Sequence, residues 1–574
     1  MSGNFDVSIL GHETSELSTA AGNCLSAGQA CDAETLYRAA IMHQPWDADL
    51  LFGLFAAQYA QAKPEADLTL TLACDRLAWS LIAANTPEAL ASDLEASARQ
   101  DTIDVWYSAN QMSGATTLAQ LAVEAFPDQP AFRLRLGLAL MHLGRIEESI
   151  SAFEQLERQW PSPAHHSFLH YARAFRQEPV EAVYQEGLRY AERHLAHVPR
   201  HPARAIKRRD GRLRIGYFSP LFNSHQLTRF FAPAFENHDR SKYFLACYSQ
   251  APATDEVGLS IKSGADLWRE VQGLSDEAFA DQVAADDIDV FIDLWGHTAG
   301  NRLPVFARKP APLQLSWINY VETTGLTEFD YVIQPDGEYL PGCEALYTED
   351  IWRIGPVLAP FRPGWDLPDS GQTPALQAGH LSFGAFIHPG KLNAETVRCW
   401  ADILGQVADS TLTLRSSYFA DPVLRRTVMA RFAAFGVSPE RLVFPDFLSG
   451  EAFLMAYQAM DLVLDPFPYQ GRTTTLDALS AGVPVLALEG LRMNDRVAPT
   501  TLRACGLDTL IATDRNDYVA KAVALASDLA GLDALRRRVR NGFESSAYRD
   551  EAGFMRRFEG DLESMIRQKG LEPA

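Results

Sequence analysis

Two patterns of hydrophobic and polar positions divide the chain. Up to about residue 200, apolar residues recur at helical spacing, with small residues where paired helices would meet. From residue 212 onward, short apolar runs alternate with longer amphipathic stretches, which predicts strands alternating with helices.

The helical part repeats itself. Residues 130–163 place Leu136, Gly137, Leu140, Gly144, Phe153 and Pro161 at the small, large, turn and helix-ending positions of a unit of about 34 residues. Ala115, Ala119, Ala122 and Pro127 occupy the matching second-helix positions one unit earlier, and Gly28, Ala33, Tyr37, Ala40 and Pro45 repeat the spacing near the start. Residues 46–105 are helical in pattern but out of register, and residues 164–197 continue the helices. The array resembles degenerate tetratricopeptide repeats, whose concave groove holds an extended peptide. The following run HVPRHPARAIKRRDGR reads as a basic, solvated junction.

Candidate strands are Leu213–Ser219, Phe244–Ser249, Val290–Trp295, Leu313–Ile318 and Tyr331–Gln334. After a proline-rich stretch from Pro356 to Pro374 come Leu381–Ile387, Thr411–Leu414, Leu442–Phe444, Leu462–Leu464, Val485–Leu488 and Leu510–Ala512. Two such series predict two Rossmann-like α/β lobes with ligands at the strands' C-terminal ends. That is the GT-B arrangement, although the periodicity suits other two-lobed enzymes equally. The expected divisions are 1–197 for the repeats, 198–370 for the first lobe and 371–574 for the second.

Composition narrows the function classes. With 47% hydrophobic and 22% charged residues, the chain is ordinary globular protein. No run approaches the roughly 18 apolar residues of a membrane helix, and the first residues lack a secretory pattern, so a cytoplasmic protein without a membrane partner is expected. Seven scattered cysteines with no CxxC pair argue for reduced thiols and against a zinc site. A net charge of −22 argues against a general nucleic-acid binder, while leaving room for a local basic nucleotide pocket.

Candidate chemistry concentrates in four loops. In LVLDPFPYQGRTTTLDALSAGVPVLALEG, residues 462–490, a strand ends at Asp465 and a helix begins near Thr473. Backbone N–H groups there, with the hydroxyls of Thr473 and Thr474, form a natural phosphate cradle. Arg472 adds a cationic fork, and Asp477 is one turn on, where a carboxylate would accept from a ribose diol. The same threonines also serve as ordinary capping residues. Lys391 follows His388, Pro389 and Gly390 after another strand, where it would reach the same phosphates. His225 follows the first strand, as a base or acceptor-positioning group. Gly296, His297 and Thr298 begin a flexible cleft loop after the run DDIDVFIDLW. Asp287 and Asp289 form an Asp-x-Asp at a strand start, a poor setting for a metal.

These segments together resemble the O-GlcNAc transferase family (glycosyltransferase family 41), in which tetratricopeptide repeats precede a GT-B catalytic region. The resemblance covers about residues 212–530 and rests on five ordered blocks: IGYFSPLFNSH, DLWGHTAGNRLPVFARKPAPLQLSW, TTGLTEFDY, the Lys391 loop and LDPFPYQGRTTTLDALSAGVPVLAL. It implies inverting, metal-independent transfer from a nucleotide-sugar to a protein hydroxyl, with no cofactor. By position, His225 matches the cleft histidine and Thr298 lies in the glycine-threonine loop. Lys391 matches the diphosphate-contacting lysine, Thr473 and Thr474 the phosphate-binding threonines, and Asp477 the ribose-binding aspartate. His388 and Leu448 are also expected on the donor side.

The chain departs from the family pattern at Arg472, at Gly450 in DFLSGEAF, at NYVETTG (319–325) and at Leu221. Arg472 suits a carboxylate, such as that of a nonulosonic acid carried on CMP, one expected donor. The chain is similar in size and layout to bacterial flagellin O-glycosyltransferases, a resemblance that implies flagellin, bound through the repeats, as one acceptor. UDP-GlcNAc transfer onto cytosolic proteins is the alternative. A protein N-glucosyltransferase, a GT-B enzyme making a small-molecule glycoside and a decayed peptide-binding adaptor are further rivals.

Overall fold

In the computed structural model, the described residues are 14–43 apart from 28, isolated positions at 50, 54, 57 and 58, and 100–572 apart from 102, 177, 366, 369 and 370. Gly28, Pro45 and most of 46–105 lie outside the described residues. The chain divides into two compact units, Met1–Leu140 and Met141–Ala574. No helix among the described residues is long and apolar enough to cross a membrane.

In the first unit, helices Thr14–Ser26 and Ala30–His43 pack as a pair. Ala21, Ala33 and Ala40 are fully buried at their contact, with Tyr37 beside them, because only small side chains allow such close axes. Helix Met112–Ala125 buries Ala115, Ala119 and Ala122 completely. These are the positions that the repeat spacing singles out.

The second unit begins with helices Ile146–Gln159, Pro163–Ala174 and Val180–His194. Gly144 opens the turn before them at φ +75, a conformation that glycine adopts without steric cost. Two parallel sheets follow. The first contains β1 (Leu213–Ser219), β2 (Tyr243–Ser249), β3 (Leu267–Glu270), β4 (Val290–Asp293), β5 (Leu313–Ser316), β6 (Tyr331–Gln334) and β7 (Asp350–Arg353), in the order β3-β2-β1-β4-β5-β6-β7. The second contains β8 (Ser382–Phe386), β9 (Thr411–Arg415), β10 (Leu442–Val443), β11 (Leu462–Leu464), β12 (Val485–Leu488) and β13 (Ile511–Ala512), in the order β10-β9-β8-β11-β12-β13. The inner strands are near-continuous apolar runs because helices cover both faces. The result is a helical array followed by two Rossmann-like lobes, the GT-B fold.

The sequence pattern misses β3 and β7. Both are sheet edges of mixed, half-exposed residues, so neither shows an apolar run. The last helix, Glu551–Gln568, returns to the first lobe, where Phe558 stacks on Trp317 at 4.5 Å and Glu559 pairs with His238 at 2.9 Å.

The basic run 197–212 is not a solvated linker. Asp287 gathers Lys207 at 2.7 Å, Arg204 at 3.5 Å and Arg209, and the carboxylate of Asp289 accepts the N–H groups of Lys207 and Arg214 at 2.9 and 3.0 Å. The Asp-x-Asp pair therefore anchors the junction to the first lobe.

Candidate functional site

The second lobe supplies a corner built around the start of a helix. After β11, the Asp465 carboxylate accepts the Gly471 N–H at 3.0 Å, folding loop 466–472 back on itself. Gly471 has no room for a side chain, since a Cβ would lie 2.1 Å from Thr474 Oγ1. Thr475 Oγ1 donates to Gly471 O at 2.8 Å, and helix Thr473–Ser480 starts there with its first N–H groups directed outward. Gln470 Oε1 accepts from Ala498 N at 3.0 Å, fixing the loop from the other side.

Lys391, from the turn after β8, donates to Gln470 O at 2.9 Å and sits 4.3 Å above the Tyr469 ring. Burial pulls its ammonium below the ordinary lysine value, and Asp465 opposes that shift. Burial likewise raises the Asp465 carboxyl, whose second oxygen is buried without a hydrogen bond. An arriving diphosphate would restore the full charge of Lys391.

The first lobe supplies the opposite wall. His225 Nδ1 accepts the Leu227 N–H at 3.2 Å, and burial lowers the ring's pKa. The neutral ring therefore carries its proton on Nε2 and offers a donor there. Asn319 Nδ2 donates to Thr298 Oγ1 at 3.1 Å, linking the wall to the Gly296–Thr298 loop. Ile318 holds φ +77, a left-handed conformation that a β-branched residue reaches only under strain of about 1–3 kcal/mol. Sequence reasoning has no signal for it.

A cavity of about 180 Å³ lies between the walls, with His225, Ile318 and Asn319 on one side and Lys391, Arg472, Thr473 and Thr474 on the other. Five of the sequence candidates thus meet. Tyr469, within the LDPFPYQG block but with no role expected for it, and Asn494, outside every block, also line it.

The candidates differ in what engages them. Arg472 lines the cavity, but its fork is engaged by Glu338 of the first lobe at 2.7 and 2.8 Å, so the carboxylate it suits comes from the chain itself. Asp477 is buried and paired with Arg229, away from the cavity lining, and burial raises its pKa. His388 is spent on both nitrogens, accepting from Gly390 N at 3.1 Å and meeting His142 Nδ1 at 2.8 Å. Leu448 sits half-buried in the loop after β10. Gly296 is required where it stands, at φ +61 with Tyr320 where a Cβ would be. His297 is fully buried, bonded to Thr324 O at 2.9 Å and Ser167 Oγ at 3.3 Å, and packs against His170 and Tyr190. It joins helix and lobe instead of facing the cleft.

The profile of glycosyl transferase family 41 matches residues 150–341 and 372–555. The chain belongs to that family. It is 30% identical over 359 residues to the probable UDP-N-acetylglucosamine--peptide N-acetylglucosaminyltransferase SPINDLY of Solanum lycopersicum, covering 62% of this chain and 39% of that protein. The SPINDLY protein of Oryza sativa subsp. japonica is 31% identical over 364 residues, with the same coverage. The chain therefore spans about two fifths of the length of these relatives. Among solved structures, a mutant O-GlcNAc transferase of Thermobaculum terrenum aligns with a TM-score of 0.77 at 28% identity, over 97% of this chain and 98% of that one. In a family 41 chain, the corner built by Lys391, Thr473 and Thr474 has the chemistry to hold a phosphate, and the His225 wall the chemistry to orient a hydroxyl.

Proposed function

We propose that this chain is an inverting protein O-glycosyltransferase that moves a sugar from a nucleotide-sugar donor to a serine or threonine hydroxyl. The observation that carries the reading is the cavity in which Lys391, Thr473 and Thr474 face His225 across the two lobes. In this reading residues 371–574 bind the donor, 198–370 orient the acceptor hydroxyl and 1–197 hold the acceptor protein.

Lys391 and the N–H groups of the helix start meet the charge that develops on the departing phosphate. Such preorganised donors are worth about 10²–10³ in rate each. His225 acts from Nε2 as a hydrogen-bond donor that positions a substrate oxygen, since its Nδ1 is taken. The proposed transfer calls on no cofactor, because these groups supply the charge stabilisation.

The relatives, described as peptide N-acetylglucosaminyltransferases and an O-GlcNAc transferase, support a UDP-linked N-acetylglucosamine donor. An acidic sugar on CMP has less support, because Glu338 already occupies the Arg472 fork. Calorimetric titration with UDP, CMP and GDP tests the donor, and UDP is expected to bind tightest. Mass spectrometry of flagellin and of a mixed cytosolic extract incubated with the chain and UDP-GlcNAc tests the acceptor. Preference for CMP would overturn the donor, and sugar found on asparagine would overturn O-transfer.

A further inference from the structure

Three ligand-type side chains converge in the helices that precede the first lobe. Glu157 stands near the end of Ile146–Gln159, His166 in the first turn of Pro163–Ala174, and His194 at the end of Val180–His194. His166 Nδ1 lies 3.1 Å from His194 Nε2, His194 Nε2 lies 3.0 Å from Glu157 Oε1, and Glu157 Oε1 lies 3.9 Å from His166 Nδ1. All three side chains are 4–6% exposed.

An ion bound tetrahedrally at about 2.0–2.2 Å holds its nitrogen and oxygen ligands about 3.3–3.6 Å apart. The three edges bracket that value. Among the described residues, no other group of histidines, cysteines and carboxylates converges in this way.

Two further observations point to a ligand. Glu157 Oε1 is buried, and the approaches of His194 Nε2 at 3.0 Å and Arg193 Nε at 3.3 Å are ion-pair contacts without acceptable hydrogen-bond geometry. Its partner oxygen Oε2 already accepts the Ser162 N–H at 3.2 Å. His166 is also oriented from behind, because Nε2 meets Glu186 Oε1 at 2.7 Å. With Nε2–H donating to that carboxylate, Nδ1 turns its lone pair toward His194 and Glu157. Arg173 and Arg189 hold Glu186 in place. A carboxylate behind an imidazole fixes tautomer and basicity in metal-binding histidines.

We propose that Glu157, His166 and His194 bind one divalent transition-metal ion of the zinc class. Two imidazoles and a carboxylate suit zinc, cobalt or nickel better than magnesium or calcium. A groove of about 740 Å³, lined in part by Glu157, His166 and Arg193, gives the ion access and leaves its fourth position to water. The ion fastens three helix ends together. The last of these helices packs Gly187 against Gly325 and Tyr190 against His297, so the role is structural support of the first lobe.

The test uses the full-length chain, stripped by chelator and dialysed, then titrated by calorimetry with Zn²⁺ and Co²⁺. The visible spectrum of bound cobalt is the second readout. One saturable equivalent per chain and a tetrahedral-type cobalt spectrum are expected. His194→Gln and Glu157→Gln should each abolish that equivalent while far-ultraviolet circular dichroism stays native. Glu186→Gln should weaken binding about 10- to 100-fold. No saturable equivalent in the wild type, or unchanged binding in both ligand variants, would overturn the assignment.

Discussion

Arg472→Leu is expected to destabilise the second unit by about 3–5 kcal/mol, the cost of stranding a buried charge. Glu338 has no exposed surface, and Arg472 meets it with two contacts of 2.7 and 2.8 Å. The leucine adds about 1.5–3 kcal/mol of apolar burial at most, too little to offset a lone carboxylate. Replacing both partners is a different perturbation, since an apolar pair of similar volume is often neutral or better than a buried ion pair. The double variant Glu338→Leu/Arg472→Leu is therefore expected to recover most of the lost stability. It should bind UDP within about tenfold of wild type, a difference of about 1.4 kcal/mol. Guanidinium unfolding followed by tryptophan fluorescence measures the first quantity and calorimetry the second. A single-variant loss below about 1 kcal/mol, or no recovery in the double variant, would refute the assignment of Arg472 to Glu338 instead of to the donor.

Lys391→Ala should lower kcat by about 10²–10³ with native circular dichroism, measured by transfer from labelled UDP-GlcNAc, because it removes the one ammonium at the phosphate corner. Nucleotide affinity of the wild type should fall as pH rises through the lowered Lys391 pKa, below the ordinary 10.5, since the deprotonated amine no longer attracts phosphate. That limb should vanish in Lys391→Ala titrated by the same calorimetry. Gly325→Ala should cost about 1–3 kcal/mol in an unfolding titration, because residue 325 holds φ +78 and its Cβ would lie 2.1 Å from Gly187 O.

Much of the fold is legible because apolar runs and small-residue spacing record burial directly. β1, β6, β11 and β12 occupy the residues that the pattern predicts, whereas β4 and β5 each end two residues early. The residues beyond, Leu294–Trp295 and Trp317–Ile318, stay apolar because they line loops that are themselves buried or half-buried. In the site, the Thr473 helix start and the Lys391 turn are legible from glycine, proline and threonine placement. Partners distant in sequence are not: Glu338 lies 134 residues before Arg472, and Arg229 lies 248 before Asp477. His297 reads as a cleft residue because it follows a strand, yet the helix Val180–His194 covers that loop end and buries it. The Glu157–His166–His194 group carries no motif because its members sit at three helix ends, where spacing depends on packing and not on sequence distance.

The size of the cavity bears on how the donor enters. A nucleotide-sugar needs a site of at least about 300 Å³, and the space between the lobes is about 180 Å³. A donor of that size extends beyond this space into the open side of the cavity or meets lining side chains that have turned. Polar links that cross from lobe to lobe around the cavity include Arg229 to Asp477, Glu338 to Arg472, and Glu322 to Asn494 at 2.8 Å. The link at Asp477 has a second consequence. Arg229 meets this carboxylate through Oδ1, so a ribose diol that bonds to Asp477 competes with Arg229 for that oxygen. Arg229→Met removes the competing cation, whose guanidinium carbon lies 4.5 Å over the Phe361 ring, and keeps most of the apolar stem. If the pair limits entry by about 1.4 kcal/mol, stopped-flow association of UDP should accelerate about tenfold in this variant. An unchanged association rate with native stability would mean that the Arg229–Asp477 pair does not gate the donor site.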